Sequence, residues 1–430
     1  IGNILLVEIE RFTLNPLSFL LIGNFVLFIV EHIYNQFVPL NVYLPGSLLL
    51  NLFIIVHIGK IRKFNSLYLI FFSFMMVSLI VAFLTLNAYN SLIVTIRAAW
   101  IVSTILVVNH IINGKYRREY FEVFEKSAKA VGIILVANIV LSLLLIPNAF
   151  VPAEGLKSLI VSSDMSKKLA LIILPFLFLS KTKNIFTGVF LTLYLLVGTR
   201  ALMLATMVVL GLIIYFSIRK YLGSSIGAKT AAGLVVICSL FLSLLFTVNL
   251  RSGDITNIMS SVDRIVIWSQ YANVIKDYPT GLGPEGAYYL IKENPTRDGL
   301  DLSDLSMILG ESELDTGTAT AADNIIAKRI RVNKNLEAKS AESLFFDLVG
   351  SYGVAGLILI GYLLVRLFRD IRVAATLQNR DFSIIYVSLC GSIVYGLFNS
   401  FHSAMLFLII LFISYNAFRT NKHNRAFKFV

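Results

Sequence analysis

The chain has 430 residues, 57% of them hydrophobic and 14% charged, with a formal net charge of +12 and a mean hydropathy of +0.80. That balance excludes an ordinary soluble globular domain and points to a polytopic membrane protein. It also excludes nucleic-acid binding, which needs a soluble basic domain that this sequence does not offer.

A bilayer-spanning helix needs about 20 largely apolar residues. Such runs recur along the chain and give twelve expected spans, near 15–35, 39–58, 65–86, 92–112, 129–147, 167–181, 184–199, 200–218, 230–249, 346–367, 382–398 and 401–418. Charge placement orients them, because cytoplasmic loops collect Lys and Arg. Loops after the even-numbered spans carry Lys60, Arg62 and Lys63, then Lys115, Arg117, Arg118, Lys126 and Lys129, then Lys181 and Lys183, then Arg219, Lys220 and Lys229. The segment after the tenth span holds Arg366, Arg369, Arg372 and Arg380, and the tail holds Arg419, Lys422, Arg425 and Lys428. The opposite short loops at 36–45, 87–91 and 399–400 contain no Lys or Arg. Both termini are therefore expected to be cytoplasmic.

The expected fold is an all-α polytopic membrane protein of about twelve transmembrane helices, with a large outer-face loop between helices 9 and 10. Its parts are helices 1–9 within 1–249, the outer segment 250–345, helices 10–12 within 346–418, and a cytoplasmic tail at 419–430. A second outer loop covers 148–166. Cys238 and Cys390 both lie in apolar runs, so no disulfide is expected, and two cysteines are too few for a Cys-based metal site. No cleavable signal peptide is expected.

In the outer segment, residues 256–277 read as an amphipathic helix ended by Asp277, Tyr278 and Pro279. Ile258, Val262, Ile265 and Ala272 form one stripe at helical spacing, and Arg264, Trp268, Tyr271 and Ile275 a neighbouring one. A cation beside two aromatics suits a ligand with phosphate and sugar parts; the plainer reading is an interfacial helix with Trp and Tyr at headgroup level. Asp263 is the natural structural partner of Arg264. The helix is followed by a tight turn at Gly281, Gly283, Pro284 and Gly286, whose spacing differs from that of a P-loop. Gly283 and Tyr288 are taken as binding candidates. An acidic stretch from Glu293 to Asp315 is expected to be a mobile flap. The basic run from Lys328 to Lys339 is expected to be a solvated face, with lipid phosphates as the other possibility.

Three residues stand out as carriers of chemistry. Arg97 lies inside the fourth span near its outer end, where an arginine costs at least about 2.5–3.5 kcal/mol on insertion scales and is functional by default. The alternative is snorkelling to the headgroups. Arg200, in VGTRALML, has no counter-charge in its sequence neighbourhood, and a planar guanidinium pairs well with phosphate oxygens. Glu342, in SAESLFF, sits where the outer segment returns to the membrane. A partly desolvated carboxylate there suits a general base for a sugar hydroxyl. Its structural alternative is a helix N-terminal acid with Ser340 as cap, and Asp347 is its substitute as base. Of the five histidines, His402 is the one placed near the outer face, with a polar contact as its expected role. No metal-ligand spacing, nucleophile elbow or Walker motif is present in the sequence.

At these residues the chain resembles the O-antigen polymerase and O-antigen ligase superfamily. VGTRALMLATMVVL (197–210) resembles that family's threonine/serine–arginine element opening a span. DRIVIWSQYANVIKDYPTGLGPEG (263–286) resembles its arginine–tryptophan helix and Gly-rich turn. AESLFFDLVGSYGVAGLILIGYLL (341–364) resembles its re-entry segment. The resemblance implies a metal-independent, GT-C-like glycosyltransferase of the bacterial inner membrane with no cofactor. It joins undecaprenyl-diphosphate-linked oligosaccharide repeat units at the periplasmic face. It implies that Arg200 and Arg264 hold the diphosphate, with membrane lipids and a chain-length regulator as further partners. Ligases of the superfamily carry a His in the re-entry segment; this chain has Glu342 and no His there, which favours a polymerase. The remaining alternatives are a ligase acting on lipid A–core, a flippase or other secondary transporter with ionisable groups nearer the midplane, and a non-catalytic assembly protein.

Overall fold

The computed structural model describes residues 16–35, 42–58, 66–113, 117–146, 150–151, 155–156, 159–179, 200–222, 258–293, 343–374, 380–397, 399 and 404–426. Twelve α-helices occur among them: α1 (Pro16–Asn35), α2 (Tyr43–Ile58), α3 (Ser66–Thr85), α4 (Ala88–Asn113), α5 (Arg117–Leu145), α6 (Ser163–Leu179), α7 (Arg200–Leu222), α8 (Ile258–Asp277), α9 (Gly286–Glu293), α10 (Leu344–Ala374), α11 (Arg380–Gly396) and α12 (Met405–Ala426). A two-residue antiparallel ladder pairs β1 (Phe150–Val151) with β2 (Gly155–Leu156). Five helical stretches are long and apolar enough to cross a bilayer, within α1, α3, α4, α5 and α10. Shorter apolar stretches occur in α2, α7 and α12. Leu69, Ile70, Phe74, Ile80 and Leu84 of α3, and Val354, Leu357, Ile358 and Phe368 of α10, turn apolar faces outward. Helices exposed this way are stable only in lipid, and the architecture is that of an all-α membrane protein.

The twelve helices are not the twelve expected spans. The spans at 184–199 and 230–249 lie outside the described residues, and α8 and α9 belong to the long polar segment. Helix α5 begins about three turns before the expected span. Its first turns are charged but amphipathic: Phe121, Phe124 and Ala128 are buried, and the two phenylalanines pack on Phe176 of α6 at ring-centroid distances of 5.7 and 4.7 Å. Glu122–Lys126 and Glu125–Lys129 ion pairs support the outer face at i,i+4 spacing.

Two buried clusters organise the fold. The larger centres on α11, which packs against α6, α7, α10 and α12. Almost every α11 residue from Phe382 to Gly396 is buried. The smaller cluster joins Met75, Leu79 and Ala82 of α3 and Val94 and Ala98 of α4 to Ile267, Tyr271 and Val274 of α8, to Leu282, to Leu290 of α9 and to Tyr352 of α10. The polar segment therefore packs into the helical frame over part of its length. Helix α8 ends at Asp277 as expected. Of the second expected row, Tyr271 is buried and Trp268 and Ile275 partly so, with Ile267, Gln270 and Val274 buried beside them, while Ala272 of the first row is exposed.

Helix α10 is interrupted at Gly353, whose φ of 57° and ψ of −136° are not helical. Breaking a spanning helix frees backbone groups that must find partners inside the protein. The turn between α8 and α9 supplies them. Leu282 N donates to Gly350 O at 3.1 Å, Gly283 N to Ser351 O at 2.9 Å, and Val354 N to Pro279 O at 2.9 Å. The approach is so close that a Cβ at Gly353 would stand 1.8 Å from Pro279 O. Ser78 of α3 holds the same turn by donating Oγ to Thr280 O at 2.7 Å.

Candidate functional site

Arg97 is the tenth residue of α4, about 14 Å from the helix start at 1.5 Å per residue. Its guanidinium forms an ion pair with Glu285, carried by the α8–α9 turn. The turn is fixed at α9's far end as well, where Glu293 accepts from Asn87 Nδ2 at 2.7 Å and also from Asn90 at the start of α4. A carboxylate there also meets the positive end of the helix dipole.

The pair lines a cavity of about 220 Å³ together with Phe28, Glu31, His32, Tyr43, Trp100 and Ser162. These residues come from the C-terminal end of α1, the N-terminal end of α2, the first half of α4 and the cap of α6. That is the end of the bundle opposite the Lys/Arg-rich loops. Buried polar contacts set its floor: Trp100 Nε1 donates to Ser47 Oγ at 2.7 Å, Ser47 Oγ to Asn24, and Asn51 Nδ2 to Thr104 Oγ1 at 2.9 Å. Glu31 accepts from Tyr43 N at the start of α2. Tyr43 stacks on Phe28 with ring centroids 3.7 Å apart. An enclosed arginine between membrane helices, beside two carboxylates, marks a functional site by default.

Arg97, Trp100 and Glu285 also line a second, smaller cavity of about 30 Å³ with Pro284, Asp347, Ser351 and Tyr352. Ile101, Leu348, Tyr352 and Met405 of that cavity in turn line an almost wholly apolar groove of about 130 Å³ between α3, α4, α10, α11 and α12. A polar chamber, a small cavity at the guanidinium and a greasy groove thus adjoin one another through shared lining residues.

Of the expected site residues, the structure joins Arg97 directly to the turn. Tyr288 is half-buried on α9 and meets Tyr289 edge-on at 5.1 Å. Burial raises the Tyr288 phenol, with Glu285 adding to the shift and Arg97 opposing it. Burial also pushes Tyr289 up to about 12, so both phenols stay protonated donors near neutral pH. Trp268 stacks on Phe346 at 5.4 Å. Two of the binding candidates are built into the packing. Tyr271 is only 3% exposed and packs against Phe346 and Gly350, so its ring is part of the core. The Gly283 amide donates to Ser351 O, and the amides of Gly281, Leu282 and Gly286 also donate to protein carbonyls. Its role is close approach, since a Cβ there would lie 2.6 Å from Val94. Arg200 opens α7 and Arg264 lies on α8, but their side chains, like Glu342 and His402 entirely, lie outside what is described. Asp347 is 5% exposed at the small cavity.

Sequence reading missed Glu285, Glu31 and His32. Glu285 was hidden in a glycine-rich turn, and Glu31 and His32 in an expected span. The available signal was that both glutamates are acids in or beside apolar surroundings, the same signal that singled out Arg97. Lys168 was missed too: it is 1% exposed on α6 and pairs with Asp164 at 2.5 Å. Compared with known proteins, the chain matches no family model, no curated protein and no solved structure.

Proposed function

We propose that the chain is a membrane-embedded glycosyltransferase that polymerises oligosaccharide repeat units carried on undecaprenyl diphosphate, at the periplasmic face of a bacterial inner membrane. It is read as a twelve-span, GT-C-like protein with both termini cytoplasmic. The observation that carries the reading is the row of adjoining cavities, a polar one and a small one that share Arg97 and Glu285, and an apolar groove between α3, α4, α10 and α12 that shares Tyr352 and Met405 with the small one. A lipid-linked diphosphate has this polarity profile: sugars in the chamber, phosphates at the guanidinium, polyprenyl tail in the groove. The resemblance of 197–210, 263–286 and 341–364 to the O-antigen polymerase and ligase superfamily supports the choice of substrate.

In this reading the acceptor hydroxyl oxygen attacks the anomeric carbon of the donor chain. The bond from that carbon to the diphosphate oxygen breaks, and the electron pair leaves with undecaprenyl diphosphate. Arg97 meets the developing charge, with Arg200 and Arg264 as further cations. A carboxylate takes the hydroxyl proton: Glu342 by its place in the sequence, with Glu285 and Glu31 as the acids that line the cavity.

Export of the lipid-linked unit is the second reading, favoured by the break in α10 at Gly353 beside enclosed ionisable groups. The deciding experiment incubates purified protein in detergent with the undecaprenyl-diphosphate repeat unit. Formation of a ladder of chain lengths, lost in Arg97→Ala, Arg200→Ala and Arg264→Ala, supports the polymerase, and Glu342→Gln tests the base. Absence of any ladder, with movement of the unit across liposomes, supports export instead.

A further inference from the structure

Arg97 and Glu285 both line the polar cavity and the small cavity that leads to the apolar groove. Their ion pair is therefore part of the wall between the two. We propose that Glu285 is an internal surrogate for the ligand's anionic group: it occupies Arg97 in the empty protein, and a diphosphate binds by displacing it. The inference rests on the reading of Arg97 as the diphosphate's partner.

Three observations converge on this exchange. The pair is mostly dehydrated, with side-chain exposures of 21% for Arg97 and 9% for Glu285. A buried guanidinium is costly when left alone, so replacing one anion with another is the exchange that avoids stranding it. Next, Arg97 Nε is buried with no hydrogen-bond partner among the described residues. The carboxylate does not saturate the guanidinium fork, and a diphosphate, with more oxygens, can. Third, Glu285 has a φ of 61°, a left-handed conformation uncommon outside glycine. Its backbone is held there by the turn, with Glu285 N donating to Ser351 Oγ at 3.4 Å and Tyr289 N to Glu285 O at 3.2 Å, which aims the carboxylate at Arg97.

The device sets specificity. A ligand must out-compete a resident carboxylate, which favours the multiply charged diphosphate over a monophosphate or a neutral glycan. Displacement also opens the wall, joining chamber to groove only when the correct head group is present. After transfer, return of Glu285 to Arg97 helps expel the spent lipid diphosphate.

The test is calorimetric titration of the purified full-length protein in detergent with inorganic pyrophosphate, which lacks both tail and sugar. Glu285→Gln, nearly isosteric but uncharged, is expected to bind at least tenfold more tightly than the unmodified protein. Glu285→Asp, charged on a shorter arm, should fall between the two, and serves alone if the glutamine variant does not fold. Arg97→Ala should lose binding. Equal or weaker binding by the Glu285 variants overturns the proposal, as does absence of binding in every form. No glycan transfer is read, so binding as expected without any polymer would sink the polymerase reading alone. Polymer formation with unchanged pyrophosphate affinity would sink the surrogate alone.

Discussion

The two buried clusters are held together by different means. Around α11, apolar side chains fill space between regular helices, and the polar groups are satisfied by nearby carbonyls: Ser392 Oγ donates to Ser388 O at 2.8 Å, Ser414 Oγ to Ile410 O at 2.6 Å, and Ser388 Oγ to Ile172 O at 2.9 Å. Around the α8–α9 turn, backbone meets backbone. Gly281, Gly283, Glu285 and Gly353 all have positive φ, a helix is broken, and an ion pair closes the structure. The first cluster needs residues that are apolar and of about the right volume. The second needs particular residues at particular positions, as functional sites commonly do.

Four substitutions sharpen that contrast. The largest effect is expected from Gly353→Ala, which places a Cβ against Pro279 O in a conformation that L side chains rarely adopt. It should destabilise by about 3 kcal/mol or more, seen as a large fall in thermal midpoint or loss of monodisperse protein. Arg97→Ala comes next. It leaves Glu285 buried without its cation, at a cost on the order of 3 kcal/mol, and should abolish polymer formation. In the α11 cluster, Gly391→Ala brings a Cβ to 2.4 Å from Val209 Cγ2, a side-chain rather than a backbone atom, so the strain falls on packing and not on backbone conformation. About 1–2 kcal/mol is expected there, without selective loss of activity. Smallest is Gly361→Ala on α10, where a Cβ meets nothing within 4 Å. It should be neutral or stabilising by about 0.5–1 kcal/mol, since alanine has the better helix propensity. If Gly391→Ala proved costlier than Gly353→Ala, the contrast would fail.

The same difference explains what the sequence revealed. Helices of the frame are legible because hydrophobic runs of bilayer length determine them, and the end of α8 is legible because Tyr278 and Pro279 follow Asp277. Arg97 stands out because a cation among apolar residues is conspicuous. Its partner does not, because Glu285 is 188 residues away and sits among glycines in a tight turn. The break in α10 is hinted at by SYGVAG, but glycines are common in membrane helices. Only the turn's carbonyls and amides, donated from another part of the chain, show that Gly353 is where the helix parts.

The central claim is that the polar cavity and the apolar groove on either side of Arg97 together accept a lipid diphosphate. The most direct measurement is photo-crosslinking with an undecaprenyl diphosphate bearing a photoreactive group in its tail, followed by mapping of the labelled residues by mass spectrometry. Two apolar grooves among the described residues can be told apart: the one at Phe71, Leu348 and Met405, and a larger one of about 500 Å³ at Phe25, Phe124 and Leu169 between α1, α5 and α6. Label at the first groove that diminishes in Arg97→Ala is the predicted result. Label confined to the second groove, or label at the first that is indifferent to Arg97→Ala, would contradict the account.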